Sequence, residues 1–441
     1  MTARAAALAI WRSALAGGAV EPLVRSALRC DADTLSCGPL TIDLARLSRV
    51  IVLGCGKAGA AMARAVEAVL GDRISAGFVV VKDGHTLPTR IVELAEAGHP
   101  VPDRRGQAAA DRILSLARAA GPHDLIVFLV SGGGSALLPG PAPPVTLEEK
   151  QEVTRLLLGA GAPIGELNAV RKHLSFLKGG QLARAAAPAR VLTLLLSDVI
   201  GDPLDVIASG PTAPDPTTFA EALDVLASRG VLGRVPPSVR GRLEAGRSGE
   251  VAETPKPGDP LFSAVTHVVI GNNRLVVDAA ARAAEGLGYT TRIASDAVQG
   301  EARDVALDLV TEIRSLPRPG CLVAGGETTV TVRGRGRGGR CQELALAAAL
   351  ALVPDEELAV LAAGTDGTDG PTDAAGAVVD ARTATTARAM GLDPDGALSD
   401  NDSYTLLRAT GDLVVTGPTD TNLLDLYILV RSTARTVSEV V

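Results

Sequence analysis

Short, unbroken apolar runs alternate with longer amphipathic stretches through the first half of the chain. Val50–Leu53, Gly77–Val81, Leu125–Val130 and Val191–Leu196 are apolar at nearly every position. Runs of this length without alternation predict strands buried on both faces. Between them, Ala58–Leu70, Gly106–Ala120, Leu147–Leu158 and Phe219–Ser228 carry apolar residues at helical spacing. Strands alternating with helices predict a parallel sheet covered by helices on both faces. Ligands of such sheets collect at the carboxyl ends of the strands. Here those ends carry the loops GCGKAG, KDGHT, SGGGSAL and SDVIGDP.

The pattern lapses over Leu232–Phe262, a stretch rich in proline, glycine and charge with no long apolar run. It reads as a short helix followed by a linker. Beyond it, strands are expected at His267–Ile270, Tyr289–Ala294, Leu358–Ala363, Ala377–Asp380 and Leu413–Thr416, with helices at Asn273–Leu287 and Gly300–Ser315. Cys321–Ala324 and Thr328–Arg333 read as a hairpin joined at a tight GGE turn. The fold class is therefore α/β with two domains. Residues 1–235 form an N-terminal Rossmann-like parallel sheet, 236–262 a linker, and 263–441 an α/β domain with a mixed sheet. The first helix is free to pack on either domain.

Composition narrows this picture. Aromatic residues make up only 2% against 46% apolar overall, so the core must be built of Ala, Val and Leu. A net charge of −7 argues against nucleic acid or an anionic membrane surface as partner. The five cysteines, Cys30, Cys37, Cys55, Cys321 and Cys341, form no C-x-x-C pair. That fits a reducing cytoplasm rather than a disulfide framework or a zinc site. No signal peptide or membrane span is expected.

Several loops carry chemistry. In GCGKAG, Gly54, Gly56 and Gly59 match a dinucleotide-binding fingerprint, and Asp83 ends the next strand where a ribose-binding carboxylate belongs. Lys57 weighs against that reading, because a long cation at the helix entrance suits a terminal phosphate or a carboxylate. Ser131, Gly132, Gly133, Gly134 and Ser135 follow a buried strand and predict a concavity lined by N–H groups, suited to an anion. The segment is neither a Walker A loop nor a nucleophile elbow. Asn168, Arg171, Lys172, His173 and Lys178 concentrate polarity in an alanine-rich region; Arg171 and Lys178, seven apart, share a face if the helix is unbroken. A solvated helix face is the alternative.

Asp198 closes a strand, with Asp202 and Asp205 behind it. A carboxylate there holds Mg²⁺, accepts a proton from an alcohol, or caps a helix. Glu327 lies in the GGE turn. Arg333, Arg335, Arg337 and Arg340 follow in a glycine-rich loop, with Arg340 at a helix N-terminus, an anion site by dipole and by guanidinium fork. Without interleaved aromatics that loop is not an RNA-binding tract. Asp366 and Asp369, and the group Asp400, Asn401 and Asp402, offer further carboxylates for a cation.

Together the segments GCGKAG at 54–59, SGGGSALL at 131–138, LNAVRKHLSFLKGGQLA at 167–183, the SDVIGDPLDVIASGPTAPDP run from 197, GGETTVTVRGRGRGGRCQELALAAA at 325–349 and AAGTDGTDGPTDAAGA at 362–377 resemble the type-2 glycerate kinases, whose C-terminal part is known as the MOFRL region. The resemblance spans nearly the whole chain. It implies ATP-dependent phosphorylation of D-glycerate at the 2-hydroxyl with Mg²⁺, giving 2-phosphoglycerate, in a cleft between two α/β domains. It places the family's active-site lysine on Lys57 and its active-site arginine on Arg340. Cys341 departs from the family's usual asparagine. On this reading Lys57 neutralises the transferring phosphoryl group and Arg340 binds a phosphate or the glycerate carboxylate. The 131–135 loop offers N–H groups, with Asn168, Arg171, Lys178 and Glu327 lining the substrate and ATP sites. Asp198 or Asp366 holds Mg²⁺ or orients the hydroxyl. The expected partners are small molecules, with no nucleic acid and no membrane, and a homodimer is compatible with the sequence. Two rivals stand beside it. An NAD(P)H-dependent hydroxypyruvate reductase would use the same glycine loop but lacks a convincing His–Arg–carboxylate set. A non-catalytic nucleotide- or anion-binding protein would need the cations but no metal carboxylates.

Overall fold

The computed structural model describes residues 1–433. Two compact units emerge: Val20–Ile270, and Met1–Ala19 together with the chain from Gly271 on. Among the described residues no helix is long and apolar enough to cross a membrane.

The Val20–Ile270 unit opens with a three-stranded antiparallel meander, β1 (Leu28–Asp31), β2 (Thr34–Cys37) and β3 (Leu40–Asp43). Its main sheet holds β4 (Arg49–Cys55), β5 (Ile74–Lys82), β6 (Val92–Ala97), β7 (Asp124–Val130), β8 (Arg190–Leu196) and β9 (Val265–Gly271). The strands lie in the order β6-β5-β4-β7-β8-β9, and the ladders from β6 to β8 are parallel. Counted from β4 this is the order 3-2-1-4-5-6 of the Rossmann fold, with its switch point between β4 and β7. β4, β7 and β8 bury every position but the exposed first residues of β4 and β8. Each fully buried Leu, Val or Phe there contributes roughly 1.5–3 kcal/mol.

Two expectations fail in this unit. β6, VELAEA, escapes the sequence pattern because Glu93 and Glu96 break its apolar run, as an edge strand of the sheet allows. Residues 236–262 do not form a linker: Pro237–Arg247 is a helix whose Val239 and Leu243 join Phe219 and Leu223 in one core. Gly246 is needed because a Cβ there would sit 2.2 Å from the Phe219 ring. The division of the chain accordingly falls at Ile270.

The second unit carries a mixed sheet of β10 (Thr290–Val298), β11 (Gly320–Gly326), β12 (Leu358–Gly364), β13 (Gly376–Asp380), β14 (Leu413–Val414) and β15 (Asp425–Arg431). The order is β10-β11-β15-β12-β13-β14. β15, not foreseen in the sequence, occupies the middle and pairs antiparallel with β11 and β12. The expected hairpin is absent, since β11 takes β10 and β15 as neighbours and Thr328–Arg333 forms no strand. The helix Ala3–Gly17 belongs to this unit, burying Ala6, Ile10, Trp11 and Ala14 in the core that holds Leu361 and Ile428.

The RGRGRGG loop is a packed element. Asn401 Oδ1 accepts the N–H groups of Arg333 and Gly334, Asp400 Oδ1 that of Arg335, and Asp402 Oδ1 that of Arg337, all within 3.0 Å. Cβ atoms at Gly334, Gly336 and Gly338 would come within 2.2–2.3 Å of Asp400, Asp402 and Ser403. The glycines therefore face inward while Arg333, Arg335 and Arg337 are exposed. Asp400 and Asp402, weighed above as cation ligands, are occupied in reading this backbone.

Candidate active site

Loops leaving β4, β7 and β8 share the carboxyl edge of the parallel sheet. Gly54, Gly56 and Gly59 are each required by packing. A Cβ at Gly54 would lie 2.6 Å from the Leu129 carbonyl, at Gly59 2.9 Å from Val79, and at Gly56 (φ +132°) 2.1 Å from Ser131 Oγ. Lys57 N donates to Gly132 O (2.9 Å) and Ala58 N to Ser131 Oγ (3.0 Å). In a dinucleotide fold the second glycine and these amides are where the pyrophosphate approaches. Here the neighbouring 131–132 segment fills that place. Asp83 likewise does not stand ready for a ribose, being held by Arg105 through bonds of 2.6 and 2.8 Å. The fingerprint is a packing solution.

Lys57 remains at the switch point, partly exposed. A Cβ on Gly133 (φ +85°) would lie 3.5 Å from Lys57 Cγ and 3.1 Å from His99 Nε2, so lysine, glycine loop and imidazole converge. Sequence reasoning missed His99. Ser131 N is spent on Cys55 O, leaving the amides of Gly132–Gly134 as the loop's candidates for an anion. Asp198 stands part-exposed just after β8, on the same edge.

Next to this loop lies a cluster of buried cations. The helix carrying Arg171 ends at His173, so the shared-face reading of Arg171 and Lys178 does not hold. The turn after it brings them together instead. Lys178 is 1% exposed and its ammonium donates to Ser135 O (3.0 Å). Lys150, overlooked in the sequence although it stands in the apolar stripe of Leu147, Val153 and Leu157, donates to Pro139 O and Leu174 O. Burial, then the like charge of Arg171, pulls Lys178 down from 10.5 to about 7, and burial holds Lys150 and Arg171 below their ordinary values. Among the described residues none of the three pairs with a carboxylate. Lys172 does, with Asp205 (2.8 Å) and Asp215 (3.2 Å), and His173 bonds Glu253. Those two serve the scaffold.

A third missed residue ties the cluster to the loop. Ser209 Oγ lies 2.6 Å from Ser135 Oγ and 3.0 Å from Asn168 Oδ1. Reaching it takes left-handed backbone at Ala208 (φ +51°) and Ser209 (φ +61°). Such conformations cost about 1–2 kcal/mol per residue and persist where surrounding contacts enforce them, often at functional sites.

In the second unit Asp425, at the start of β15, sits between Gly326 of β11 and Gly364 of β12. It takes Arg340 bidentately, at 2.5 and 2.9 Å, and Arg340 Nη1 also meets Glu327 at 2.7 Å. Arg340 is thus already engaged by two carboxylates, against the expectation of an open anion fork. Burial disfavours its charge, but the Asp425 hydrogen bonds more than offset this and raise its pKa. Asp369 caps the same helix, accepting from Cys341 N (3.1 Å) and Gln342 N (2.9 Å); burial and Asp425 lift it to about 7. The Cys341 thiol is buried beside Asp425, and burial pushes it well above its usual value. Asp366 Oδ1 accepts from Thr368 N and Oγ1.

Comparison with known proteins matches this arrangement to a family. A domain of unknown function (DUF4147) matches residues 6–244 and the MOFRL family matches 320–425. The chain is 46% identical over 396 residues to the D-glycerate 2-kinase of Thermotoga maritima, covering 88% of this chain and 92% of that one. It is 44% identical to an Agrobacterium vitis protein provisionally named a hydroxypyruvate reductase, over 86% of each. The crystal structure of a glycerate kinase from Thermotoga maritima aligns with a TM-score of 0.84 at 42% identity, covering 97% of this chain and 99% of that one. With relatives this similar along most of its length, the chain belongs to the glycerate kinase family.

Proposed function

We propose that this protein transfers the terminal phosphoryl group of ATP to the 2-hydroxyl of D-glycerate, giving 2-phosphoglycerate. The observation that carries the proposal is the switch point itself: a lysine and a glycine loop converge there beside buried cations, in a chain of the glycerate kinase family. Phosphoryl transfer depends chiefly on positioning and on cations around the migrating group. Lys57 neutralises that group as a point charge. The amides of Gly132, Gly133 and Gly134 hold phosphate oxygens. In the second unit Arg340 keeps its buried Asp425 bond, and its half-exposed contact with Glu327 is the arm an incoming anion displaces.

Mg²⁺ in kinases is bound by one or two carboxylates together with the substrate phosphates. Among the described residues no three His, Cys, Asp or Glu side chains gather into a cage, and a part-exposed carboxylate beside the glycine loop fits the single-ligand role. Asp198 is that residue; Asp366 has one oxygen committed to Thr368. When bound, the ion neutralises phosphate charge and fixes the phosphate geometry. The five free cysteines support a cytoplasmic setting, and a homodimer is the assembly to test by sedimentation.

The reductase reading is weakened by the occupied amides of Lys57 and Ala58 and by the Asp83–Arg105 pair. One experiment separates the alternatives: D-glycerate with ATP and Mg²⁺, and separately hydroxypyruvate with NADH. Glycerate-dependent ADP release is expected, with enolase coupling to show the 2-phosphate. NADH oxidation in its place would overturn the proposal, and neither reaction would leave a binding protein.

A further inference from the structure

A cavity of about 550 Å³ lies beside the glycine loop, lined among others by Pro100, Ser135, Pro139, Lys150, Gln151 and Arg171. Its floor is cationic. Arg171, half-buried in this lining, makes no hydrogen bond or ion pair among the described residues, and Lys150, also part of it, bonds only carbonyls; Lys178 does not line the cavity but lies buried behind Ser135, donating to its carbonyl. The glutamates at the rim are engaged elsewhere, Glu148 with Arg104 and Glu152 with Arg155. Buried positive charge without a counter-ion is costly to hold, and a protein keeps it where an anion arrives to complete it. Arg171 shares this cavity with Ser135, whose hydroxyl bonds Ser209, itself held by Asn168, so the anion and the phosphoryl-transfer loop are neighbours.

We propose that Arg171, backed by the buried ammonium of Lys178, forms the subsite for the carboxylate of the acceptor acid, within the cavity that opens beside Ser135. This rests on the glycerate kinase reading and deepens it: the acceptor is chosen by its carboxylate as well as by its hydroxyl. The planar guanidinium suits a bidentate carboxylate, and the buried ammonium adds a point charge behind it. Lys150 shares the lining with Arg171, though burial disfavours its charge. A neutral acceptor would leave the Arg171 guanidinium without a partner, which is how a polar site rejects an analogue lacking the matching group.

The test uses the full-length protein with D-glycerate and with its neutral analogue D-glyceramide. Arg171→Met is expected to raise KM for D-glycerate on the order of 10²-fold while KM for D-glyceramide stays the same or falls, because the variant no longer holds an unpaired guanidinium against the neutral acceptor. Arg171→Lys, which keeps the charge without the fork, should fall between. Calorimetric titration of D-glycerate without nucleotide reads the same site independently of activity, and should lose its signal in Arg171→Met. An unchanged KM for glycerate, or an equal loss for both acceptors, overturns the subsite while the kinase reading stands. If the wild-type protein shows no glycerate-dependent ADP release, the kinase reading falls. The titration then decides alone, upholding the subsite if glycerate binding is lost in the variant and overturning it if glycerate does not bind or binds both proteins equally.

Discussion

Replacing Lys178 by methionine should make the protein more stable and less able to bind its substrate. The side chain is 1% exposed, and its folded-state pKa is depressed from 10.5 to about 7. At 1.36 kcal/mol per pH unit, that depression is worth about 5 kcal/mol of destabilisation wherever the folded protein must keep the ammonium charged. The folded state binds fewer protons than the unfolded one between pH 7 and 10.5. Stability therefore rises with pH through that window, and the penalty is complete below pH 7. Methionine has a similar length and no charge, so it removes the penalty. It also leaves the Ser135 carbonyl without its donor, at about 1–3 kcal/mol. The net gain at pH 6 is about 2–4 kcal/mol, shrinking to nothing by pH 10. With two units in the chain, a single melting curve is a poor readout. Native-state hydrogen exchange of peptides covering Leu177–Ala186 reports the opening of this unit directly. A variant no more stable than wild type at pH 6, or a wild type whose protection does not rise between pH 7 and 9, would refute the reasoning. In the same experiment, saturating D-glycerate at 100 times its Kd should stabilise wild type by about 2.7 kcal/mol and Lys178→Met far less.

Lys57→Ala should lower kcat about 10²–10³-fold in the coupled ADP assay, the usual loss for one transition-state charge contact, and near-full turnover would remove Lys57 from the mechanism. Gly56→Ala forces a Cβ to within 2.1 Å of Ser131 Oγ at φ +132°, so a loss of at least about 2 kcal/mol is expected in urea titration. In the arginine–glycine loop, Gly336→Ala should destabilise through its contact with Asp402, whereas exposed Arg335→Ala should stay within about 0.5 kcal/mol of wild type; thermal melting of both distinguishes a packed loop from a solvated tract.

The buried strands β4, β7 and β8 were legible because central parallel strands advertise themselves as unbroken apolar runs. So were the loops at their ends, since a parallel sheet presents all such loops on one edge. Edge strand β6 and the meander β1–β3 lack that signature. The helix Pro237–Arg247 was foreseen only as a short helix without bounds, and its Gly246 is placed for contact with the Phe219 ring, not for flexibility. Within the site, the residues missed share one property: their partners are distant in sequence. Ser209 meets Ser135 and Asn168 only through left-handed backbone that alanine and serine disfavour. Asp425 owes its place to two glycines opposite it, about 60 and 100 residues away. Arg171 and Lys178 were grouped for a reason that does not hold, since a helix end that no glycine or proline announces lies between them.

The central place of β15 sets a schedule for synthesis. Helix Ala3–Gly17 lies against β12 and β15, and β15 itself joins β11 to β12. At roughly 5–20 residues per second, the ribosome needs about 20–80 s to pass from that helix to Asp425. Once β9 has been made the Val20–Ile270 unit has all its strands available, while the first-made helix still waits for β12 and β15 to complete the core around Ile10 and Trp11. The apolar face of the first helix is therefore a natural client for a chaperone, and the second unit is the part whose maturation waits for the end of translation.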